Sequence, residues 1–345
     1  MIHVEDKSLL LADGRVLAYA DNGNTSSSEL VLFLHGPFAI GDASHLPAAL
    51  EARNIHYVAP SLPGWGRSSP LSSHARTTTT DAYASTLAAD ITALITHLHP
   101  HTHHKLRLYI CAHSFGTVHA QMLYGASHAA FPLAQQLAAL ILLAPCSPPH
   151  CHPTYARALS WPAYILAGPP ARYVPCFSLI TMHIARLALA PYFTSDTSAQ
   201  TLLRKYLLPP DASSDTDTDT VREHTDEQAT PNDIDELEQP RPQDHFERTL
   251  GRNAHRSVAS SWRGFTDMPA VYHSGWGQFS PSSIETTCPV LVVSSENDDV
   301  APKPMAHWLP AEYQNARLKN IPGGHVSAFS HLDEIWNEVF EMVSS

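Results

Sequence analysis

A serine lies at the end of a short apolar run near the middle of the chain. Residues 108–111 are Leu-Tyr-Ile-Cys, and Ala112 and Gly116 then flank His-Ser-Phe, with Ser114 in the centre and helix-forming residues beyond. This order predicts a strand, a tight turn that requires small residues, and a helix. The Ser114 hydroxyl would stand clear of the sheet beside free helical N–H groups, where it could attack a carbonyl carbon. A serine that only caps a helix has the same short pattern, so the hypothesis needs a base and an acid.

A histidine and three carboxylates follow in the order that such chemistry requires. His325 comes after the strand predicted at residues 316–321, in a loop with two glycines that lets the imidazole reach a neighbouring strand end. The acid is one of Glu296, Asp298 and Asp299, which follow the apolar residues 290–293. These acids could equally cap the next helix. One of them is expected to orient His325 and to stabilise its protonated form.

Apolar strands alternate with helical segments on both sides of this serine. Strands are predicted at residues 30–34, 56–59, 106–111 and 137–143, after a hairpin over residues 8–20. The alternation predicts a mostly parallel sheet covered by helices on both faces. It stops at residue 148 and resumes near residue 290. We therefore expect a core of residues 1–147 and 279–345, with a helical cap, 148–278, inserted after the sixth core strand.

Most of the negative charge belongs to one segment of this cap. The net charge is −12, and residues 211–247 account for −11 of it, with 13 Asp and Glu against 2 Arg. Residues 211–245 are polar and acidic, which predicts disorder. Their spacing lacks the glycine and terminal glutamate of a calcium loop. The rest of the chain has no basic patch for nucleic acid.

The cysteines and the apolar segments of the sequence indicate the cellular compartment of the protein. Five scattered cysteines indicate buried free thiols in a reducing environment. Neither a secretory signal nor a transmembrane run of about 18 apolar residues is visible, which favours the cytoplasm. A histidine-rich loop contains His97, His99, His101, His103 and His104, and it is expected to be an exposed connector rather than a metal site. Residues 150–152, His-Cys-His, are expected to be loop residues rather than a zinc site, because no fourth ligand is apparent.

Five motifs in order resemble the α/β-hydrolase fold superfamily, in its serine-nucleophile branch with a cap. They are the hairpin with Asp13-Gly14, Leu34-His35-Gly36, the Pro-Gly loop of residues 59–68, residues 295–302, and Gly324-His325. The resemblance covers residues 8–147 and 270–343. It implies a Ser-His-Asp triad of Ser114, His325 and Asp298, because residues 295–302 align Asp298 with the family's acid. Serine at the turn argues against the related epoxide hydrolases and haloalkane dehalogenases, which use Asp there.

The resemblance also implies an oxyanion hole made by backbone N–H groups. Phe115, which follows the nucleophile, would supply one. The second usually comes from the residues after His-Gly, but Pro37 has no N–H, so Phe38 is the best candidate. Further expected substrate contacts are His35, Gly36, His113 and Trp65, and the apolar stretch 161–193 could cover an acyl chain or form ordinary cap core.

These residues predict a hydrolase that cleaves carboxylic esters through an acyl-enzyme, without cofactor or metal. A small molecule with an apolar acyl group is the expected substrate. The same triad could serve thioester, lactone, amide or C–C bond hydrolysis, acyl transfer or cofactor-free peroxidation. A ligand-binding protein without catalysis is the alternative outside enzymes, since the fold alone does not decide the function.

Overall fold

An eight-stranded sheet forms the centre of the computed structural model, which describes residues 4–71, 82–174, 176–207 and 242–344. The strands are β1 (Lys7–Leu10), β2 (Val16–Asp21), β3 (Glu29–Leu34), β4 (His56–Pro60), β5 (Arg107–His113), β6 (Leu137–Leu143), β7 (Val290–Ser295) and β8 (Ala316–Ile321). Their order across the sheet is β1-β2-β4-β3-β5-β6-β7-β8. The pairs β1–β2 and β2–β4 are antiparallel, and all others are parallel. The predicted fold class, an α/β fold with a mostly parallel sheet, is confirmed.

Helices cover both faces of this sheet, as expected for central parallel strands whose residues are mostly buried on both faces. One face is covered by α1 (Ala48–Glu51) and α12 (Leu332–Ser344), and the other by α2 (Ala82–Leu98), α3 (Gly116–Gly125) and α11 (Lys303–Glu312). Side chains of β5 alternate between the two layers. Leu108 and Ile110 pack with α2 and α3, whereas Tyr109 and Cys111 pack with α12.

Seven helices of the described chain lie between β6 and β7. They are α4 (Trp161–Ala167), α5 (Pro169–Tyr173), α6 (Phe177–Leu189), α7 (Asp196–Leu207), α8 (Pro242–Ala259), α9 (Arg263–Thr266) and α10 (Met268–Tyr272). Their place in the chain is that of the predicted cap, whose limits as a domain stay a prediction. Short 3₁₀ turns occur at His103–Lys105, Pro132–Gln136, Tyr155–Ala158, Ala190–Phe193, Pro281–Ser283 and Ser327–His331.

The predicted disordered segment, residues 211–245, falls almost entirely outside the described residues. Its last four residues lie inside α8, which begins at Pro242. The start of this helix could not be predicted from composition, because acidic and polar residues continue into the first turn of α8. Among the described residues, no helix is both long enough and apolar enough to cross a membrane.

Candidate active site

Three strand ends bring the candidate residues together. Ser114 directly follows β5, while Asp298 and His325 follow β7 and β8. In a parallel sheet the carboxyl ends of the strands lie at one edge, where ligands bind in open α/β folds. Ser114, Asp298 and His325 are separated by up to 211 residues in the chain. Hydrogen bonds join His325 to Ser114 on one side and to Asp298 on the other.

Ser114 occupies a strained turn between β5 and α3. Its φ is +54°, in the left-handed region that non-glycine residues seldom adopt. Its amide donates to the carbonyl of Leu143 in β6 at 2.9 Å, which anchors the turn to the sheet. A Cβ on Gly116 would lie 2.6 Å from the carbonyl oxygen of His35, so only glycine fits there. The turn therefore has the strand, tight turn and helix geometry that the sequence predicts around Ser114.

A continuous hydrogen-bond chain joins the three side chains. His325 Nε2 lies 2.8 Å from Ser114 Oγ, and His325 Nδ1 lies 2.9 and 3.0 Å from the two carboxylate oxygens of Asp298. Because the carboxylate can only accept, Nδ1 carries the proton and Nε2 accepts from the serine hydroxyl. The side-chain order is that of a nucleophile, a general base and an orienting acid.

Asp298 is held ionised although it is buried. Burial by itself raises the pKa of this carboxyl, but the hydrogen bond and electrostatic interaction with His325 oppose it, and the net pKa is lowered. The amides of Val300 and Ala301 both donate to Oδ1 at 2.9 Å. Glu296 and Asp299, the other two candidate acids, are exposed. The structure thus brings Asp298 to His325 and leaves its two neighbours in solvent.

His113 contacts the loop that carries His325. Its Nε2–H donates to the His325 carbonyl at 2.9 Å, and the two rings lie 4.9 Å apart. Burial lowers the pKa of His113 to about 3, so its ring stays neutral at physiological pH. Phe329 packs on the same ring at 4.7 Å. His113 is therefore placed to hold the His325 loop, a role that the prediction of a substrate contact did not include.

The His35-Gly36 loop lies against the nucleophile. A Cβ on Gly36 would lie 3.0 Å from the Cβ of Ser114. The amide of Leu62 donates to His35 Nε2 at 2.9 Å, which leaves Nδ1–H to donate to the Gly36 carbonyl at 2.7 Å. Burial lowers the pKa of His35 to about 4. Both ring nitrogens are thus used within the protein, and a substrate contact by His35 stays a prediction.

An aromatic cluster surrounds Phe38, the candidate second oxyanion donor. Its ring stacks on Phe193 with centroids 4.6 Å apart and contacts Phe265 at 5.2 Å. Trp65 and Trp262 meet it edge-on at 5.7 and 6.3 Å. Phe38 has a φ of +54°, so packing holds its backbone in a strained conformation. Within the described chain, no protein acceptor is hydrogen-bonded to the amide of Phe38 or Phe115.

Sequence reasoning did not identify Phe193, Trp262 and Phe265 individually. Phe193 lies at the end of the apolar stretch 161–193, which was the one signal that pointed to this region. Trp65 is almost fully buried against Gly264, where a Cβ would lie 2.5 Å from the indole ring. Its direct contact with substrate stays a prediction.

One expectation for the histidine-rich loop is wrong. His99 is only 1% exposed, and its Nε2 lies 2.7 Å from Nδ1 of His56 at the start of β4. The turn after α2 directs this side chain inward, and the polar neighbouring residues gave no sign of its burial in the sequence.

The two histidines of the loop at residues 150–152 have partners within the protein. His152 Nδ1 contacts Ser147 Oγ at 2.7 Å, and His150 Nε2–H donates to the Phe279 carbonyl at 2.9 Å. No group of three or more metal-ligating side chains occurs in residues 4–71, 82–174, 176–207 and 242–344.

Solved structures share this fold at low sequence identity. A hydrolase from Pseudomonas aeruginosa PA01 has a TM-score of 0.55 and 15% identity, with 98% of each chain covered. A thermophilic esterase from Thermogutta terrifontis has a TM-score of 0.53 and 15% identity, with coverage of 98% of this chain and 97% of that one. An enol-lactonase from Burkholderia xenovorans LB400 has a TM-score of 0.51 and 13% identity, with coverage of 98% and 100%.

A sequence search of curated proteins gives no match. The profile described as the alpha/beta hydrolase family matches residues 31–338, which include most of β3, the whole of β4 to β8 and all three residues of the hydrogen-bond chain. The predicted resemblance is confirmed, and the chain belongs to the alpha/beta hydrolase family.

Proposed function

We propose that this hydrolase cleaves carboxylic esters through an acyl-enzyme formed on Ser114. The observation that carries the proposal is the hydrogen-bond chain Ser114 Oγ, His325 Nε2 and Nδ1, Asp298, with links of 2.8 to 3.0 Å. These side chains are 4 to 6% exposed, so bulk water does not compete for their hydrogen bonds. The arrangement has the nucleophile, the base and the orienting acid of a serine hydrolase.

Acylation starts with proton transfer from Ser114. As Oγ forms a bond to the ester carbonyl carbon, its proton passes to His325 Nε2 and the carbonyl π electrons move onto oxygen. The oxyanion binds the amides of Phe115 and Phe38. When the carbonyl re-forms, the alcohol leaves and takes the proton from His325. Water then repeats the sequence, releases the carboxylic acid and restores the Ser114 hydroxyl.

Asp298 supports both protonation states of the base. Its carboxylate fixes the Nδ1–H tautomer, so Nε2 faces the hydroxyl. When His325 becomes an imidazolium, the adjacent negative charge stabilises it. The lowered pKa of Asp298 keeps the carboxylate ionised throughout the neutral pH range.

The acyl group of the substrate is apolar in this proposal. Phe38 carries a candidate oxyanion amide, and aromatic rings from the cap region pack around it. An acyl chain bound beside such rings gains favourable burial of its methylene groups. Two of the structurally similar proteins, from Thermogutta and Burkholderia, are named as an esterase and an enol-lactonase.

A panel of p-nitrophenyl esters with rising acyl length tests this function. We expect the wild type to hydrolyse at least one of them and Ser114→Ala to lose about 10⁴-fold or more of kcat. A fluorophosphonate should label the wild type at Ser114 and leave Ser114→Ala unlabelled. Labelled peptide mapping identifies the modified residue.

The competing functions give different results in the same assay. Turnover on thioesters, lactones, amides, C–C bonds, acyl acceptors or peroxide, with no triad-dependent ester cleavage, would reject the ester assignment. Absence of both labelling and turnover would reject the hydrolase mechanism in favour of ligand binding. Weak turnover with efficient labelling would locate the defect in the oxyanion hole, at Pro37.

The cytoplasmic location stays a prediction. All five cysteines are free thiols in the structure.

A further inference from the structure

Three helices of the cap region expose an unusual amount of apolar surface. On α6, the side chains of Leu179, Ile180, Ile184 and Leu187 are 57 to 70% exposed. Their spacing places them on one side of the helix, while Met182 on the opposite side is buried. Exposed apolar residues adjoin them on neighbouring elements, namely Trp161, Ile165, Tyr173, Val174 and Tyr192. We call this set of nine residues the outer cap face.

Such a surface needs a partner. Single exposed apolar side chains are ordinary, but a continuous patch in a water-soluble domain normally indicates an interaction site. The outer cap face combines aliphatic side chains on a helix with Trp and Tyr at its edges. Helices that lie in the boundary layer of a lipid bilayer have this composition, because Trp and Tyr favour that layer.

The stretch of chain that carries the outer cap face has charged side chains of one sign. Residues 147–195 contain Arg157, Arg172 and Arg186 but no Asp or Glu, although the whole chain has a net charge of −12. All three arginines are exposed, and Arg186 belongs to α6 itself. The Arg172 guanidinium lies over the Tyr173 ring at 5.3 Å. An anionic lipid surface would accept both the apolar side chains and these cations.

We propose that the outer cap face docks the protein on an anionic lipid surface. With 13 residues, α6 is too short to span a bilayer and would lie along the interface. The cluster around Phe38 adjoins this region through Phe193, which ends the 3₁₀ turn after α6 and is buried against the Phe38 ring. Docking would therefore hold the candidate active site close to the lipid. The proposal does not depend on the function proposed above, because lipid binding needs no catalytic residue.

Two other occupants fit the observations less well. A second copy of the chain, paired through the same face, would bring three arginines against three arginines with no carboxylate between them. The acidic residues 211–241 of this chain could attract the arginines, but they contain only Val221, Ile234 and Leu237 as large aliphatic side chains. That number is too small to cover nine exposed apolar residues.

Vesicle co-sedimentation of the full chain tests the proposal. We expect binding to phosphatidylcholine vesicles that contain phosphatidylserine and weaker binding to phosphatidylcholine alone. The double variant Leu179→Asp/Ile184→Asp should lower the partition coefficient by about tenfold or more. Arg186→Gln should lower binding to the anionic vesicles by about fivefold. Leu10→Asp is the matched control, because Leu10 is an apolar residue that is 72% exposed on β1.

One further variant and two measurements of folding keep the result interpretable. Ser114→Ala should bind vesicles like the wild type, which separates docking from catalysis. Circular dichroism and thermal melting should show that all variants are folded. If the double variant does not fold, Arg186→Gln alone tests the proposal. We then expect this variant to lose the wild type's preference for vesicles that contain phosphatidylserine.

Three results would overturn docking on lipid. The first is a wild type that binds neither kind of vesicle. The second is a Leu10→Asp variant that loses as much binding as the double variant. The third is a dimer, seen by light scattering, that Leu179→Asp/Ile184→Asp converts to a monomer, which would assign the face to a second copy.

Discussion

The carboxyl edge of the sheet and the outer cap face both depart from the usual pattern of burial, in which polar side chains are exposed and apolar ones are buried. At the sheet edge, Ser114, Asp298 and His325 are polar and buried. On the cap, Leu179 and Ile184 are apolar and exposed. The buried polar groups are stable because each one has hydrogen-bond partners. The exposed apolar groups have no such compensation within the described chain.

The difference separates two kinds of functional residue. A catalytic group has to be held in one geometry, so the protein surrounds it with its own donors and acceptors. A docking residue has to stay free until its partner arrives, so the protein leaves it in solvent. Substitutions at the two regions should therefore change different measurements.

The largest expected effect is at the acid of the sheet edge. Asp298→Asn keeps the shape of the side chain but removes the charge that fixes and stabilises His325. We expect kcat to fall by about 10⁴-fold. Asp299→Asn, at the exposed neighbouring carboxylate, should leave kcat within about twofold. If Asp299→Asn abolishes ester hydrolysis and Asp298→Asn does not, the assignment of the acid is wrong by one residue.

A pair of Ile→Ala substitutions compares the sheet with the cap in stability. Ile141 in β6 is fully buried, whereas Ile184 is 60% exposed. We expect Ile141→Ala to lower the free energy of unfolding by about 2–5 kcal/mol. Ile184→Ala should change it by less than about 0.5 kcal/mol. Urea unfolding measures both, and a large loss for Ile184→Ala would mean that the outer cap face is covered within the protein.

Acid should destabilise the sheet edge through its buried histidines. Burial lowers the pKa of His35 to about 4 and that of His113 and His119 to about 3. An unfolded histidine has a pKa of about 6.5. Below pH 6.5 the unfolded chain therefore binds more protons than the folded one, and stability falls as the pH decreases towards these folded values. The loss is about 1.4 kcal/mol per histidine for each pH unit.

Melting curves between pH 7.5 and pH 5 check this slope. His113→Gln removes one of the buried histidines. It should make the dependence of unfolding free energy on pH shallower by about one proton, or about 1.4 kcal/mol per pH unit. His101→Gln, at an exposed position of the histidine-rich loop, is the control and should leave the slope unchanged. A slope that His113→Gln leaves unaltered would contradict the assignment of this residue as neutral in the folded protein.

The smallest effect is expected at the side chain that holds the His325 loop. His113→Phe keeps a ring but loses the donor to the His325 carbonyl. We expect kcat to fall by about tenfold while KM stays within about twofold. His113→Gln, whose amide can donate in the same direction, should recover most of kcat. Equal losses in kcat for both variants, or a change confined to KM, would contradict a positioning role.

Much of the sheet could be predicted from local pattern. Residues 137–143 coincide with β6, because a buried parallel strand requires an apolar run bounded by turns. Residues 316–321 coincide with β8, an edge strand in which Ala316 and Leu318 alternate with Arg317 and Lys319. The meeting of Ser114 and His325 follows from the same topology, since parallel strands end at one edge. Asp298 could not be separated from Asp299 by the residues alone, and resemblance to the family selected it.

The aromatic cluster lay beyond what local pattern can predict. Phe38, Phe193 and Trp262 come from three distant parts of the chain, and no spacing rule relates them. The burial of His99 has the same cause, because its partner His56 is 43 residues away. Contacts of this kind depend on how elements pack in three dimensions, whereas hydrophobic periodicity reports only on single elements.

The left-handed backbone of Ser114 has a consequence for directed evolution. An L-residue at a φ of +54° stores conformational strain that glycine would relieve. Selection for heat resistance alone would therefore favour Ser114→Gly, a variant with a more relaxed turn and without the hydroxyl that we propose as the nucleophile. Libraries of this protein screened for stability need a simultaneous screen for activity, because the turn that presents Ser114 is a place where the two properties conflict.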